Sequence, residues 1–170
     1  DAEFNEIRRN LDAGGSGNYI VSRGEYLSAR LISAYLGYDF VDTKDLILFD
    51  GKGRLLVDQT NEALSAELAK HERAVLPGFY GSYAKNGEIC LFSRGGSDVT
   101  GSLVARAAKA SVYENWTDVS GMLMADPRIV DDPLPIKNIS YMELRELSYM
   151  GASVMHEDAV FPARMSDIPI

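Results

Sequence analysis

The densest chemistry in this sequence lies in Ser93-Arg94-Gly95-Gly96-Ser97-Asp98-Val99-Thr100-Gly101. Adjacent glycines let a backbone approach a ligand closely and take positive φ angles. The apolar, alanine-rich stretch from Thr100 to Lys109 predicts a helix. Its first turn offers unpaired N–H groups and the positive end of a dipole. Ser97 adds a hydroxyl, and Arg94 adds a fork suited to a carboxylate or phosphate. Asp98 can orient an attacking group or help hold a metal ion. The same residues also fit a tight strand-to-helix turn with Ser97 or Asp98 as its N-cap. The loop alone leaves the two readings level, because it matches neither a P-loop nor a dinucleotide fingerprint.

Other stretches offer chemistry at a distance from this loop. Ser22-Arg23-Gly24-Glu25 can place Glu25 at a strand end to bind an ammonium group. Its Ser-x-x-Glu spacing before a helix favours a capping box instead. Ser140-Tyr141-Met142-Glu143 has the same form and reads as a plain cap. Thr117-Asp118-Val119-Ser120-Gly121 follows an expected strand, where α/β proteins place ligand loops. There Asp118 can accept hydrogen bonds from a ribose or base. Arg128, in Asp126-Pro127-Arg128, can reach a polyphosphate, but taken alone this stretch reads better as a surface turn with its Asp and Arg paired. His71 and His156 read as structural or surface residues, and Cys90 as a bystander inside a strand.

The elements that must position these residues alternate. Phe4, Ile7 and Leu11 share one helical face. Gly14 to Gly17 breaks that pattern. Tyr19-Ile20-Val21 predicts a short strand and residues 25–36 a helix stopped by Gly37. Strands are expected at 40–41 and 46–49, then a turn at Asp50 to Gly53 and a returning strand over 54–57. A helix over 60–73, a strand at 74–76 and a hairpin turning at Asn86-Gly87 follow. Beyond the glycine loop and its helix come a strand over 111–116, a loop over 117–139 and a helix over 140–150. The chain closes with an expected strand at 153–155, a helix at 157–165 and a strand from Ile168. Such alternation predicts a layered α/β sheet, without internal repeats and without a linker between domains.

The whole chain limits the functions open to it. Its 170 residues fit one domain, with 46% apolar and 25% charged residues. A formal net charge of −8 argues against nonspecific nucleic-acid binding, which needs clustered Lys and Arg. An anionic ligand remains open, since backbone N–H groups, one or two arginines and a metal ion can hold it locally. The apolar runs fall short of a membrane span, and the opening Asp1-Ala2-Glu3 is no signal segment. One cysteine and two distant histidines give neither a disulfide framework nor a zinc pattern, and fit a cytoplasmic protein.

Taken together, the segments form an ordered set. Ser22-Arg23-Gly24-Glu25, Pro77-Gly78-Phe79, Arg94-Gly95-Gly96-Ser97-Asp98, Thr117-Asp118-Val119-Ser120-Gly121, Ala125-Asp126-Pro127-Arg128, Ile139-Ser140-Tyr141 and Met150-Gly151-Ala152 follow one another along the chain. This set closely resembles the catalytic domain of aspartate kinases, in the amino-acid-kinase superfamily, from Tyr19 to Ile170. The resemblance implies an αβα sandwich that moves the γ-phosphoryl group of ATP onto the β-carboxylate of L-aspartate with Mg²⁺, in lysine, threonine and methionine biosynthesis. It implies Glu25 on the aspartate ammonium, and Arg94 and Ser97 on its carboxylates. Asp98 would organise the reacting centre, and Thr117, Asp118 and Arg128 would bind ATP.

This sequence also departs from the family pattern. The family opens with a strand carrying Lys-Phe-Gly-Gly-Ser, whose lysine neutralises the transferring phosphate, and no such segment occurs here. Leu123 stands where many members have tyrosine, and Ser153 where many have lysine. The expectation is therefore a single partial catalytic domain over 1–170, without the first strand or the C-terminal regulatory domains, and inactive alone. A sheet lacking its first strand exposes an edge, so a homo-oligomer is expected. Two alternatives stay open: a sister amino-acid kinase, against which Glu25 and Arg94 argue, and a non-catalytic nucleotide-binding fragment.

Overall fold

Ser16 starts the longest helix of this chain: its hydroxyl accepts the Tyr19 N–H at 3.2 Å. The computed structural model describes residues 2–117, 121–126, 128–149, 155 and 157–170. Helix α1 (Ala2–Asp12) comes before that cap, and α2 (Gly17–Leu36) runs from it to Gly37. Gly37 closes α2 at φ 68°, in the left-handed region that favours glycine.

The strand expected at Tyr19 to Val21 is therefore helix, and the capping box expected at Ser22–Glu25 is absent. Ser22 sits inside α2 and donates to the Tyr19 carbonyl at 2.7 Å, a local back-bond that serves a helix as well as a cap. The β-branched pair Ile20-Val21 gives way to an inward helical stripe, on which Ser22, Ala29 and Ser33 are buried. Glu25, three residues after Ser22, lies at the edge of that stripe and is half-buried. The Ser140–Glu143 cap does form. Glu143 accepts from the Ser140 N–H at 2.8 Å, and its own N–H donates to the Ser140 hydroxyl at 3.3 Å.

Strands β1 (Asp39–Phe40) and β3 (Ala74–Val75) pair in parallel. Strands β2 (Leu48–Phe49), β4 (Tyr80–Tyr83) and β5 (Ile89–Leu91) form a second sheet with β4 in the middle. β2 is parallel to β4, and β4 is antiparallel to β5 through the turn at Asn86-Gly87, where Gly87 has φ 70°. β4 is buried on both faces: Tyr80, Gly81 and Ser82 are all buried. A Cβ at Gly81 would strike the Ile47 carbonyl.

Helix α3 (Val57–Leu68) and helix α4 (Gly96–Ala107) pack on the second sheet. The core they share contains Ile47, Phe49, Leu64, Cys90, Val99 and Leu103. Helix α6 (Glu157–Arg164) lies against α4, where the buried Ser102 hydroxyl accepts the Ala163 N–H at 2.9 Å. Helix α5 (Tyr141–Tyr149) contacts α6. The fold is thus mixed α/β, as the alternation predicts. Three further expected strands are not strands. Over 54–57 only Leu55 bridges back to Phe49 before α3 begins. Residues 112–117 run without strand pairing, although the Tyr113 N–H donates to the Pro169 carbonyl at 2.8 Å. Ile168 to Ile170 is likewise unpaired as a strand. The expected strand at 153–155 falls largely outside the described residues, as does His156. Among the described residues no helix is long and apolar enough to cross a membrane.

Candidate functional site

Three elements meet where β3 runs out. After Val75 the chain passes through Pro77, Gly78 and Phe79 into β4, between the middle of α2 and the first turn of α4. From α2, the half-buried Glu25 reaches this turn, and its Oε1 accepts the Gly78 N–H at 3.4 Å, the long end of the hydrogen-bonding range. From α4, Ser97 closes the other side. A Cβ added at Gly78 would lie 2.9 Å from the Ser97 hydroxyl oxygen, so only glycine lets these backbones approach this closely. Glu25 and the glycine loop, 72 residues apart in the case of Ser97, thus share one small site built around Gly78.

The glycine loop is shaped by its neighbours. Gly95 caps α4 in the left-handed region at φ 55° and no side chain caps this end, so Ser97 and Asp98 lie inside the first turn and neither is the N-cap. Their side chains stay available at the positive end of the helix. Gly96 is buried, and a Cβ there would lie 2.7 Å from the Phe79 Cβ. Ser97 and Arg94 are exposed, and Asp98 is half-buried. Among the described residues Arg94 has no ion pair, so its guanidinium is available to an anion. The Asp98 carbonyl accepts the Tyr113 hydroxyl at 3.3 Å. Burial, and then the Asp98 charge, push the Tyr113 phenol up to about 12, so it stays a hydrogen-bond donor at any working pH.

The turn itself carries a signal that the sequence reading missed. Phe79 has φ 56°, a left-handed backbone at a bulky residue. Such a conformation costs about 1–3 kcal/mol and persists only where the surroundings over-determine it. Here they do. The Phe79 N–H donates to the Thr100 hydroxyl at 3.1 Å, and its carbonyl accepts the Phe92 N–H at 3.0 Å. The available clue was Pro77-Gly78-Phe79, a Pro-Gly turn directly after an apolar strand.

On the other flank of Glu25, Arg23 stacks its guanidinium over Tyr26 at 4.5 Å and Tyr19 at 4.7 Å. Tyr80, below it, donates to Asp42 at 2.8 Å, and burial with the nearby Asp42 charge raises its pKa. These contacts fix the middle of α2, and so the reach of Glu25.

The expected nucleotide-binding residues are placed differently. Thr117 is exposed at the end of the extended segment, and Asp118 lies outside the described residues. Arg128 is 87% exposed and bound by Asp126: its NH2 group lies 2.6 Å and its Nε 3.1 Å from Asp126 Oδ2. Its backbone N–H also donates to Asp126 Oδ1 at 2.8 Å. Arg128 holds the Asp126 carboxyl down at about 2. This is the paired surface turn that the stretch suggests when read alone. Leu123 bridges Pro135, and Ser153 lies outside the described residues.

The metal-donor chemistry is sparse. Among the described residues no three His, Cys, Asp or Glu groups come together. Asp98, at the start of α4, is the one carboxylate besides Glu25 in the site described above. That donor set fits a Mg²⁺ carried mainly by substrate phosphates, which needs only one or two protein carboxylates. Cys90 is buried and unpaired in the core, and His71 is tied to Asp39 and Glu67 away from Glu25 and the glycine loop.

Known proteins resemble this chain in sequence and fold. The profile of the amino acid kinase family matches residues 2–170. Aspartokinase 3 of Bacillus subtilis is 37% identical over 89% of this chain and 35% of its own length. A crystal structure of Clostridium acetobutylicum aspartate kinase superposes with a TM-score of 0.91 and 48% identity, over 98% of this chain and 38% of that one. Escherichia coli aspartokinase III, crystallised with aspartate and ADP, superposes with a TM-score of 0.81 and 28% identity, over 98% of this chain and 42% of that one. The chain therefore spans well under half the length of these relatives.

Proposed function

The chain belongs to the amino acid kinase family, and from that premise we propose that it is part of the catalytic domain of an aspartate kinase, which transfers the γ-phosphoryl group of ATP to the β-carboxylate of L-aspartate. The observation that carries this reading is the meeting of Glu25, Gly78 and Ser97 in one site, with Arg94 open beside it. The complex of the Escherichia coli relative with aspartate and ADP supports the choice of substrates.

The chemistry follows from the side chains. The Gly78 N–H engages one oxygen of Glu25 and holds its carboxylate in place. The carboxylate then faces an ammonium group as a fixed negative charge, which suits an amino acid and repels a bare dicarboxylate. Arg94 and the Ser97 hydroxyl bind the carboxylates at the end of α4, where the dipole favours negative charge. Asp98 orients the reacting centre. Thr117, Asp118 and Arg128 bind ATP, with Arg128 exchanging Asp126 for phosphate. Mg²⁺, when bound, neutralises charge on the polyphosphate. Catalysis of this kind rests on positioning and charge neutralisation, with little covalent work for the protein.

The same proposal covers the setting. The product enters lysine, threonine and methionine synthesis in the cytoplasm. Residues 1–170 act as one partial catalytic domain within a homo-oligomer. Support for the oligomer is the outer face of α2, where Val21, Leu31, Ile32, Tyr35 and Leu36 are exposed. The test is aspartyl phosphate formation, trapped with hydroxylamine, by the 170-residue chain and by a longer protein that includes a Lys-Phe-Gly-Gly-like strand. Activity is expected from the longer protein alone. Full activity from the short chain would refute the need for that lysine, and none from either would refute the kinase reading.

A further inference from the structure

The Pro77-Gly78-Phe79 turn is gripped from two sides by threonine hydroxyls that no step above uses. Thr43, fully buried in the 3-10 turn Thr43–Asp45, donates to the Pro77 carbonyl at 3.1 Å. That carbonyl belongs to the peptide whose opposite edge is the Gly78 N–H, the group that meets Glu25. Thr100, 4% exposed at the start of the second turn of α4, takes the next peptide. Its Oγ1 accepts the Phe79 N–H at 3.1 Å and donates to the Gly96 carbonyl at 2.8 Å. One hydroxyl thus ties the turn to the glycine loop and satisfies a donor and an acceptor at once.

The conformation of Phe79 makes this tie necessary. At φ 56° its N–H is turned toward α4, where Thr100 meets it. A valine of the same shape would leave that donor without its partner in a closely packed place. The turn would then relax toward an ordinary backbone. Gly78, which touches Ser97 on one side and Glu25 on the other, would move with it.

We propose that Thr100 is a positioning residue, whose hydroxyl locks the Pro77-Gly78-Phe79 turn so that Glu25 and Ser97 present one preformed site for the acceptor amino acid, with Thr43 as a second, weaker anchor. The proposal rests on the reading of Glu25 and Ser97 as acceptor-binding residues. It predicts a defect confined to the acceptor, because the stretches assigned to ATP lie beyond α4, at 117–118 and 128.

The experiment uses the full-length parent protein and the variants Thr100→Val, Thr100→Ser and Thr43→Val. Calorimetry measures L-aspartate and Mg-ATP separately, and hydrogen exchange follows a peptide covering 77–83. Thr100→Val should weaken aspartate about tenfold, the worth of one to two net hydrogen bonds. Mg-ATP affinity should hold, and exchange over 77–83 should quicken. Thr100→Ser, which keeps the hydroxyl, should restore both readouts. Thr43→Val should shift aspartate the same way by a few-fold, and carries the test if Thr100→Val does not fold. Unchanged aspartate affinity and exchange in the valine variants would overturn the proposal. So would an equal loss of both ligands, or a serine variant that rescues nothing. A wild-type parent that binds no aspartate would sink the functional reading instead, while exchange and serine rescue would still decide whether Thr100 locks the turn.

Discussion

The side of this molecule proposed to hold the acceptor and the side proposed to hold the nucleotide are built in opposite ways. On the acceptor side, Glu25, Gly78 and Ser97 are brought together by buried structure: a helix stripe, two threonine hydroxyls and glycines that leave no room for a Cβ. On the nucleotide side, Arg128 is 87% exposed and its charge is satisfied by Asp126, two residues away. The first site is preformed, because its geometry is enforced by the core. The second is a surface turn that would have to surrender an internal ion pair to hold a phosphate. Preformed geometry lowers the ordering cost of binding, and an internally paired arginine adds to it.

The sharpest break of this contrast is at Glu25. In the full-length protein, Glu25→Gln keeps the shape and the bond from Gly78 but removes the charge proposed to face the ammonium. A charged hydrogen bond contributes about 1.5–3 kcal/mol, so kcat/KM for aspartate should fall roughly 10²-fold. The KM for ATP should stay nearly constant. Steady-state kinetics with each substrate varied in turn decides it. A loss shared equally by both substrates would mean that Glu25 supports the fold and not the acceptor.

The two sides also differed in how far the sequence exposed them. The glycine loop was legible because Gly95-Gly96 and the following apolar helix are local signals. The cap at Ser140–Glu143 was legible for the same reason. Glu25 was legible as a residue but not as a place: Ser-x-x-Glu suggested a cap, and α2 began eight residues before the expected helix start at 25, at Gly17. A three-residue apolar run such as Tyr19 to Val21 carries too little pattern to tell strand from helix, so the Ser16 cap and tertiary packing decided it. The partnership of Glu25 with Gly78 and the left-handed Phe79 were not legible at all. Both arise from contacts across 53 and 21 residues, which no local periodicity records. The strand expected at 111–116 fails for a related reason: its Tyr113 N–H pairs with the Pro169 carbonyl, in a segment that forms no strand with it.

A smaller effect should come from the nucleotide side. If Arg128 must leave Asp126 to reach ATP, Asp126→Asn should release it and lower the KM for ATP by about threefold, a change of the size measured for exposed ion pairs. Arg128→Ala should raise that KM. The pair itself will not vary across the working pH range. Arg128 depresses the Asp126 carboxyl to about 2, so its contribution is complete above the ordinary carboxylate pKa and fades only as the pH falls toward 2. An ATP KM unmoved by both variants would leave 126–128 as a structural turn and place nucleotide recognition elsewhere.

The weakest expected effect tests whether any exposed charge cluster here does more than satisfy itself. His71 follows the end of α3, and its Nδ1 meets Asp39 of β1 at 2.8 Å while its Nε2 meets Glu67 of α3 at 3.2 Å. Lys70 shares Glu67. Hydrogen bonds to Asp39 and then to Glu67 raise the imidazole pKa above its ordinary 6.5. A group whose pKa is raised on folding stabilises the fold fully below its unfolded pKa, and that stabilisation is lost as the pH rises through the folded value. The link between α3 and β1 should therefore be held in mild acid and released as the pH rises through that raised value. An NMR titration of the His71 ring should show a midpoint above 6.5, and Asp39→Asn should lower it. Because both carboxylates reach solvent, the thermal midpoint of the protein should drift down only slightly across that range. A steep fall would mean that this pair, unlike Arg128–Asp126, holds part of the fold, and the contrast between buried geometry and exposed charge would have to be redrawn.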